Sequence, residues 1–246
     1  ARAALGIWET VKSRASERNE MEFRRYAIYH LPEGALGRMG TAWLGWDPRR
    51  GSPAARPVVR GLPGDAEALT RAPRPYGFHA TLKAPFRLAA GHGPDELLRR
   101  AALVCDHLAP FDLALELGAW HGFVALRPRQ QPPALLALEQ ALVTRLDDLR
   151  APLTAEERER RRPETLPETA RAHLDHWGYP WVLGLFAYHL TLSGSLEAEA
   201  AGQLVRALEP VFAPLIRAPM PVRAVSLLGE DAGGRFHLLG EVPLRG

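Results

Sequence analysis

The sequence predicts an α+β fold made of two similar halves, and two observations lead to that prediction. Strand-like and helix-like segments occur in both halves of the 246 residues, in the order strand, histidine-bearing strand, helix, strands. A His-x-Thr-Leu sequence also occurs once in each half, starting at His79 and again at His189. This order does not match an alternating parallel α/β sheet.

The elements of the first half follow from local patterns. Alternating, β-prone residues predict strands, and apolar residues spaced three or four apart predict helices. Pro94 and Asp95 are typical helix-start residues. The predicted elements are a strand at 26–29, a helix at 35–46, a loop from 47 to about 75 with a helical turn near 65–69, the first histidine strand, a helix at 94–108, and strands at 111–117 and 121–127.

The second half repeats this arrangement after a strongly periodic helix. Thr154 and Glu157 have the spacing of a capping box and open a polar excursion. Asp231 to Gly234 is a plausible hairpin turn. The predicted elements are a helix at 133–149, the excursion at 154–177, the second histidine strand, a helix at 197–208, and strands at 222–228 and 235–242.

Composition indicates a soluble protein of the cell interior. The formal net charge is +3, and arginine supplies nearly all of the positive charge, with Lys12 and Lys83 as the only lysines. Such arginine use beside abundant alanine, glycine and proline also indicates a GC-rich genome. Cys105 is the only cysteine, which excludes an intrachain disulfide and favours a cytoplasmic location. It is expected to fill the core.

No segment is predicted to cross or enter a membrane. No apolar run approaches the length of a membrane span, and residues 1–20 lack the apolar core of a signal peptide. These residues are expected to be an extension without chemistry. The predicted domain is residues 21–246.

Each histidine strand has two different faces, because residues two apart in a strand share a side. In the first strand the polar side carries His79, Thr81 and Lys83. In the second it carries His189 and Thr191, followed by Ser193, and the alternate residues of both strands are apolar. Each strand therefore has one side for a core and one that needs a polar partner.

Two histidines across a cleft suit phosphodiester chemistry without a cofactor. A neutral imidazole accepts a proton from an attacking hydroxyl or water, and a protonated one donates to the leaving oxygen. Threonine hydroxyls donate hydrogen bonds to the phosphate oxygens. His79, His189, Thr81 and Thr191 are the predicted catalytic residues.

Three alternatives stay open at the level of sequence. In the first alternative, the motif is repeated by chance in a chain of nine histidines, and the two motif histidines are structural residues bonded to backbone. In the second alternative, His173 and His176 are ligands of a metal ion. No cysteine or carboxylate pattern completes such a ligand set. In the third alternative, the protein is an RNA-binding module without turnover, and the arginine-rich run 158–162 binds the RNA. Glutamates are interleaved with these arginines.

The paired motifs resemble the two-histidine phosphoesterase superfamily, in which each lobe of a pseudo-symmetric α+β fold carries one His-x-Thr/Ser motif. The resemblance covers roughly residues 21–246. It implies antiparallel sheets with helices outside and an active-site cleft between the lobes. Flanking segments resemble a bacterial branch associated with phosphonate-utilisation operons; they lie at 25–29, 43–46, 76–83 and 177–180.

The resemblance implies a metal-independent cyclic phosphodiesterase acting on a small phosphodiester, with a phosphoribosyl cyclic phosphate of phosphonate breakdown as one candidate substrate. A 2′,3′-cyclic end of RNA or a nucleotide is the other. Which histidine is the base depends on which ester oxygen leaves. Further residues are weaker candidates for substrate contact, and they are Lys83, Tyr26, Arg74, Tyr76 and Ser193.

Overall fold

Antiparallel sheets carry both histidine motifs in residues 22–246, the part of the chain that this computed structural model describes. The predicted extension over residues 1–20 lies outside the described residues. The strands are β1 (Arg25–His30), β2 (Trp46–Asp47), β3 (Ser52–Pro53), β4 (Ala80–Phe86), β5 (Phe111–Leu113), β6 (Leu115–Trp120), β7 (Phe123–Pro128), β8 (Leu190–Thr191), β9 (Met220–Val222), β10 (Ala224–Glu230) and β11 (Phe236–Pro243).

Helices surround these sheets and follow the predicted positions. Most begin or end within a few residues of the predicted limits, because apolar spacing and start signals locate them. They are α1 (Gly34–Leu44), α2 (Ala66–Thr70), α3 (Pro94–Cys105), α4 (Pro133–Arg145), α5 (Ala155–Glu159), α6 (Glu168–Trp177) and α7 (Ala198–Phe212). Among the described residues, no helix is both long and apolar enough to span a membrane.

The first histidine motif belongs to a four-stranded sheet with the order β11-β10-β1-β4. β1 pairs antiparallel with both β10 and β4, and β10 and β11 form the predicted hairpin. The carboxylate of Asp231 accepts hydrogen bonds from the amides of Gly233 and Arg235 at 2.8 and 2.9 Å, which closes the turn. His79 immediately precedes β4, an edge strand of this sheet.

The second histidine motif belongs to a three-stranded sheet with the order β6-β7-β8. His189 immediately precedes β8, which is again an edge strand and is only two residues long. Each histidine thus enters an edge strand of its own sheet, as the predicted two-lobed α+β fold requires.

The apolar sides of the two histidine strands are buried as predicted. Phe78, Ala80 and Leu82 are at most 2 % exposed, and so are the matching residues Tyr188, Leu190 and Leu192. These side chains belong to one hydrophobic cluster. The indole of Trp43 in α1 also donates to the carbonyl of Leu192 at 2.7 Å. The two lobes therefore share a continuous core.

Three predicted elements differ in detail. The predicted strand 111–117 divides at Ala114 into β5 and β6, which pair with β9 and β7 respectively. The helix predicted over 133–149 ends at Arg145 and is followed by a short 3-10 turn. The excursion 154–177 forms α5 and α6, and α5 opens with the predicted capping box of Thr154 and Glu157. Pairing partners decide such breaks, and local patterns do not reveal them.

Candidate active site

Both histidines and both threonines of the paired motifs line one cavity between the sheets. Its volume is about 370 Å³, and it contains His79, Thr81, His189 and Thr191. All four residues are partly exposed, while their apolar strand neighbours are buried. The motifs that lie 110 residues apart in sequence therefore meet at one site.

The two imidazoles are held by the same hydrogen bond. Nδ1 of His79 lies 3.0 Å from the carbonyl oxygen of Gly77, and Nδ1 of His189 lies 2.8 Å from that of Ala187. A carbonyl oxygen only accepts, so each Nδ1 carries the proton. Each Nε2 is then free to accept a proton, and Nε2 of His79 lies 3.2 Å from the hydroxyl oxygen of Thr81.

Gly77 is required for this arrangement at the first histidine. Its φ of +73° lies in the left-handed region, and a Cβ there would be 2.6 Å from Cδ of Pro48. Any other residue would shift the carbonyl that orients His79.

Burial keeps both imidazoles neutral before substrate enters. It lowers the pKa of His79 from 6.5 to about 4, despite the bond to Gly77, which raises it. The pKa of His189 is lowered by burial and, to a smaller degree, by the charge of Arg127. A phosphate anion beside an imidazole favours its protonated form. An anion bound in the cleft would therefore favour a protonated imidazole, the form that can donate a proton.

The two histidines have different aromatic neighbours. Tyr29 and Tyr76 both stack on His79, with centroid distances of 3.9 and 5.8 Å. His189 lies beside Trp120 and Phe123, at 5.2 and 5.6 Å. The cleft is therefore symmetric in its histidines and threonines and asymmetric in the aromatic rings around them.

Two arginines also line this cavity, Arg25 and Arg161. Nε and Nη2 of Arg25 form a bidentate pair with the Glu230 carboxylate at 2.5 and 2.6 Å. The guanidinium of Arg161 lies over the ring of Tyr179, 5.0 Å from its centroid. Arg25 is therefore paired with a carboxylate, whereas Arg161 forms no ion pair with a carboxylate among the described residues.

Of the weaker candidates, Tyr76 and Ser193 line the cleft. Tyr26 is not there. The cleft tyrosine of β1 is Tyr29, three residues further on and therefore on the opposite side of the strand. Tyr26 instead contacts Phe23.

Lys83 does not line the cleft that the histidines share. Its ammonium group donates to the carbonyl of Val143 at 3.1 Å and lies 3.5 Å from the carboxylate of Asp147. The side chain is 4 % exposed. Beyond Thr81 the polar side of β4 is covered by the end of α4, where the last carbonyls of a helix need donors. Lys83 satisfies one of them.

Arg74 and Ser193 are likewise engaged elsewhere. The Arg74 guanidinium bonds to the carboxylate of Glu67 at 2.7 Å, and Arg74 does not line the cleft. Ser193 does line it, but its hydroxyl accepts from the amide of Val124 and donates to the carbonyl of Gly194, both at 2.9 Å. Sequence periodicity shows on which side of a strand a residue lies, but it does not show which other segment covers that side.

The two histidines considered for a metal site and the single cysteine do not line the cleft. His173 and His176 are on α6, and residues 22–246 contain no group of three or more His, Cys, Asp or Glu side chains arranged to hold a metal. Cys105 is fully buried, and burial raises the pKa of its thiol to about 12. The predicted role of Cys105 as a core residue is confirmed.

Several cleft residues were not among the predicted site residues, and they are Arg25, Tyr29, Phe123 and Arg161. Arg25 and Tyr29 belong to the segment 25–29 that carries part of the family resemblance, which was the available signal. Phe123 and Arg161 are brought to the cleft by the tertiary structure alone.

The fold and the site define an α+β protein with a two-histidine, two-threonine cleft between antiparallel sheets. Residues 81–237 match the model of the family described as protein of unknown function DUF1045, and the chain belongs to that family. The match begins within the first histidine motif and includes the second.

Curated relatives extend the likeness to most of the chain. A protein named ribose 1,5-bisphosphate phosphokinase PhnN from Janthinobacterium sp. (strain Marseille) is 33 % identical over 231 residues, which cover 90 % of this chain and 51 % of the relative. A protein of the same name from Laribacter hongkongensis (strain HLHK9) is 34 % identical, covering 87 % and 50 %. The chain thus spans about half the length of the curated relatives it matches.

Solved structures that the chain matches include Escherichia coli LigT complexed with 3′-AMP. It is 17 % identical, with a TM-score of 0.45, over 92 % of this chain and 100 % of LigT. A structure titled as a phosphoesterase is 15 % identical with a TM-score of 0.42, over 91 % and 99 %.

Proposed function

We propose that the protein is a phosphodiesterase that hydrolyses a cyclic phosphate, or a similar small phosphodiester, by two-histidine acid–base catalysis. The observation that carries this proposal is the shared cavity of His79, Thr81, His189 and Thr191, with both imidazoles fixed in the same tautomer. Four such groups suffice for the acid, the base and the phosphate contacts, so the proposed mechanism needs no metal.

The reaction follows from this geometry. Nε2 of one histidine removes a proton from water, whose oxygen forms a bond to phosphorus. The other histidine, protonated in the presence of the anionic substrate, donates its proton to the ester oxygen as the phosphorus–oxygen bond of the ring breaks. The threonine hydroxyls donate to the non-bridging oxygens. The product is a ring-opened phosphate monoester.

The relatives' name favours a phosphorylated ribose as the substrate. Hydrolysis of the 2-ester bond of a 5-phosphoribosyl 1,2-cyclic phosphate yields ribose 1,5-bisphosphate, the compound in that name. If the half of each relative that matches this chain makes ribose 1,5-bisphosphate, it would supply the substrate of the kinase for which the relative is named. This reasoning supports the phosphoribosyl cyclic phosphate predicted from the resemblance.

A second candidate substrate is a nucleoside 2′,3′-cyclic phosphate or an RNA end. A cavity of about 610 Å³ adjoins His189 and is lined by aromatic side chains, Trp120, Phe123, Tyr179 and Trp181. Such faces stack on bases. This observation favours a nucleotide.

Binding of RNA without turnover has less support. In the arginine run 158–162, Arg158 pairs with Asp175 at 2.9 Å, and Arg162 lies 3.7 Å from Glu164. These carboxylates reduce the positive field that an RNA strand would need.

Phosphorus NMR on a panel of cyclic phosphates, with a chelator present, tests the proposal. The panel holds ribosyl 1,2-cyclic phosphate, its 5-phosphate, nucleoside 2′,3′-cyclic phosphates and ADP-ribose 1″,2″-cyclic phosphate. His79→Ala and His189→Ala should each reduce kcat by about 10²–10⁴-fold. His107→Ala, which removes an exposed histidine outside the cleft, is the matched control. Absence of turnover with every compound would refute the proposal.

A further inference from the structure

A second cavity adjoins the catalytic cleft and is strongly basic. Its volume is about 210 Å³. Because a water molecule occupies roughly 30 Å³ of liquid, it has room for a phosphate group together with some water. Its cationic lining residues are Arg25, Lys83, Arg87, Arg150, Arg160 and Arg161, whereas Glu157 is its one carboxylate among the described residues.

The two cavities adjoin along one wall. They share six lining residues, which are Arg25, Tyr76, Ala84, Pro85, Arg161 and Tyr179. A ligand held by the histidines would pass Tyr76 and Tyr179 to reach the basic cavity. Arg161 lies at the junction, where the ring of Tyr179 supports its guanidinium.

Of the six cations in the second cavity, four form ion pairs with carboxylates of the described residues, but two do not. Arg87 pairs with Glu157, Arg150 and Lys83 pair with Asp147, and Arg25 pairs with Glu230. Arg160 and Arg161 form no ion pair with a carboxylate among residues 22–246. The ion pairs hold the cavity walls in place, and the guanidinium groups of Arg160 and Arg161 can bind an anion.

We infer that this cavity binds a second phosphate group of the substrate, with Arg160 and Arg161 as its ligands. The inference rests on the proposed function and narrows its substrate class to a cyclic phosphate that carries a further phosphate monoester. Guanidinium groups suit this role because they bind phosphate oxygens in a bidentate manner and keep their charge. The substrate would then be oriented by one phosphate at each end.

Paired substrates measure this preference directly. The experiment compares kcat/KM for ribosyl 1,2-cyclic phosphate with and without the 5-phosphate, and for a nucleoside 2′,3′-cyclic phosphate with and without a 5′-phosphate. The wild-type protein should prefer the phosphorylated member of a pair by about 10-fold or more, the value of one charge-assisted hydrogen bond. Arg160→Gln and Arg161→Gln should each reduce that preference ratio by about 10-fold.

Arg158→Gln is the matched control, because Arg158 belongs to the same run but pairs with Asp175 and lines neither cavity. It should leave the preference ratio unchanged. A ratio that does not respond to Arg160→Gln or Arg161→Gln would overturn the inference. Stimulation of an unphosphorylated substrate by free inorganic phosphate, without a preference for the phosphorylated one, would also overturn it and assign the cavity to a separate anion.

Direct binding separates this inference from the proposed function. If no cyclic phosphate is hydrolysed, calorimetry with inorganic phosphate still compares the wild-type protein with the Arg160→Gln variant. Weaker binding by the variant would support the anion site while the phosphodiesterase proposal fails. Equal binding, or none, would refute both.

Discussion

The ring of Tyr29 stacks on the imidazole of His79, with centroids 3.9 Å apart and planes inclined by 28°. Tyr29 lies in β1 and is 1 % exposed, and its partner across the antiparallel pair is Thr81 of β4. The register between the two strands therefore places one buried ring against the histidine. The position of His79 depends on sheet pairing as well as on its own hydrogen bond to Gly77.

Tyr29→Ala should reduce both stability and activity, whereas Tyr29→Phe should retain the stack. Loss of a buried aromatic ring costs about 3–5 kcal/mol, and a freed imidazole loses its orientation. Urea unfolding and kcat for both variants check this expectation. Equal kcat for the Ala and Phe variants at temperatures where both are folded would show that the stack does not position His79.

Thr81→Val and Thr191→Val should each lower kcat by about 10²–10³-fold, the usual loss on removing one donor to a developing oxyanion. Valine retains the shape of threonine, so the fold should be little affected. Thr144→Val is the matched control, since Thr144 is exposed on α4 and bonds only to the carbonyl of Gln140. A normal kcat in both cleft variants would remove the threonines from the mechanism.

Stability should fall below about pH 6.5 because of the buried histidines. Burial lowers the pKa of His30 from 6.5 to about 3, so the unfolded chain takes up a proton that the native state does not. Each such group reduces stability by up to about 1.4 kcal/mol per pH unit as the pH falls from the unfolded to the folded pKa.

His30→Gln tests this expectation away from the cleft. Its amide can replace the contact between Nδ1 and the Tyr188 hydroxyl, which measures 2.6 Å. Urea unfolding at pH values from 7 to 4 should give a shallower pH dependence in this variant, by about one proton. An unchanged slope would show that His30 is protonated in the native state. His107→Gln serves as the exposed control.

Ser193→Ala should act on stability and not on catalysis. It removes the hydroxyl that accepts from the buried amide of Val124, and an unsatisfied buried donor costs about 1–3 kcal/mol. Thermal unfolding should detect this loss while KM stays near the wild-type value. A large rise in KM with unchanged stability would restore Ser193 to substrate binding.

The part of the candidate site that follows from the spacing of residues along the sequence could be predicted. His79, Thr81, His189 and Thr191 were identifiable because a repeated motif on strands places like residues on like faces. Tyr76 could be predicted by its position beside the first motif. The contacts of Lys83 could not be predicted, because the end of α4, more than 50 residues later in the chain, covers that part of β4.

By itself the sequence determined which side of each histidine strand faces the core, since alternation of polar and apolar residues is a local property. The tertiary structure alone decided what meets the polar sides. It brought Tyr29 against His79 through strand register, Trp120 and Phe123 against His189 through a different sheet, and Arg161 to the junction of two cavities. These contacts depend on packing between distant segments, which no spacing along one strand encodes.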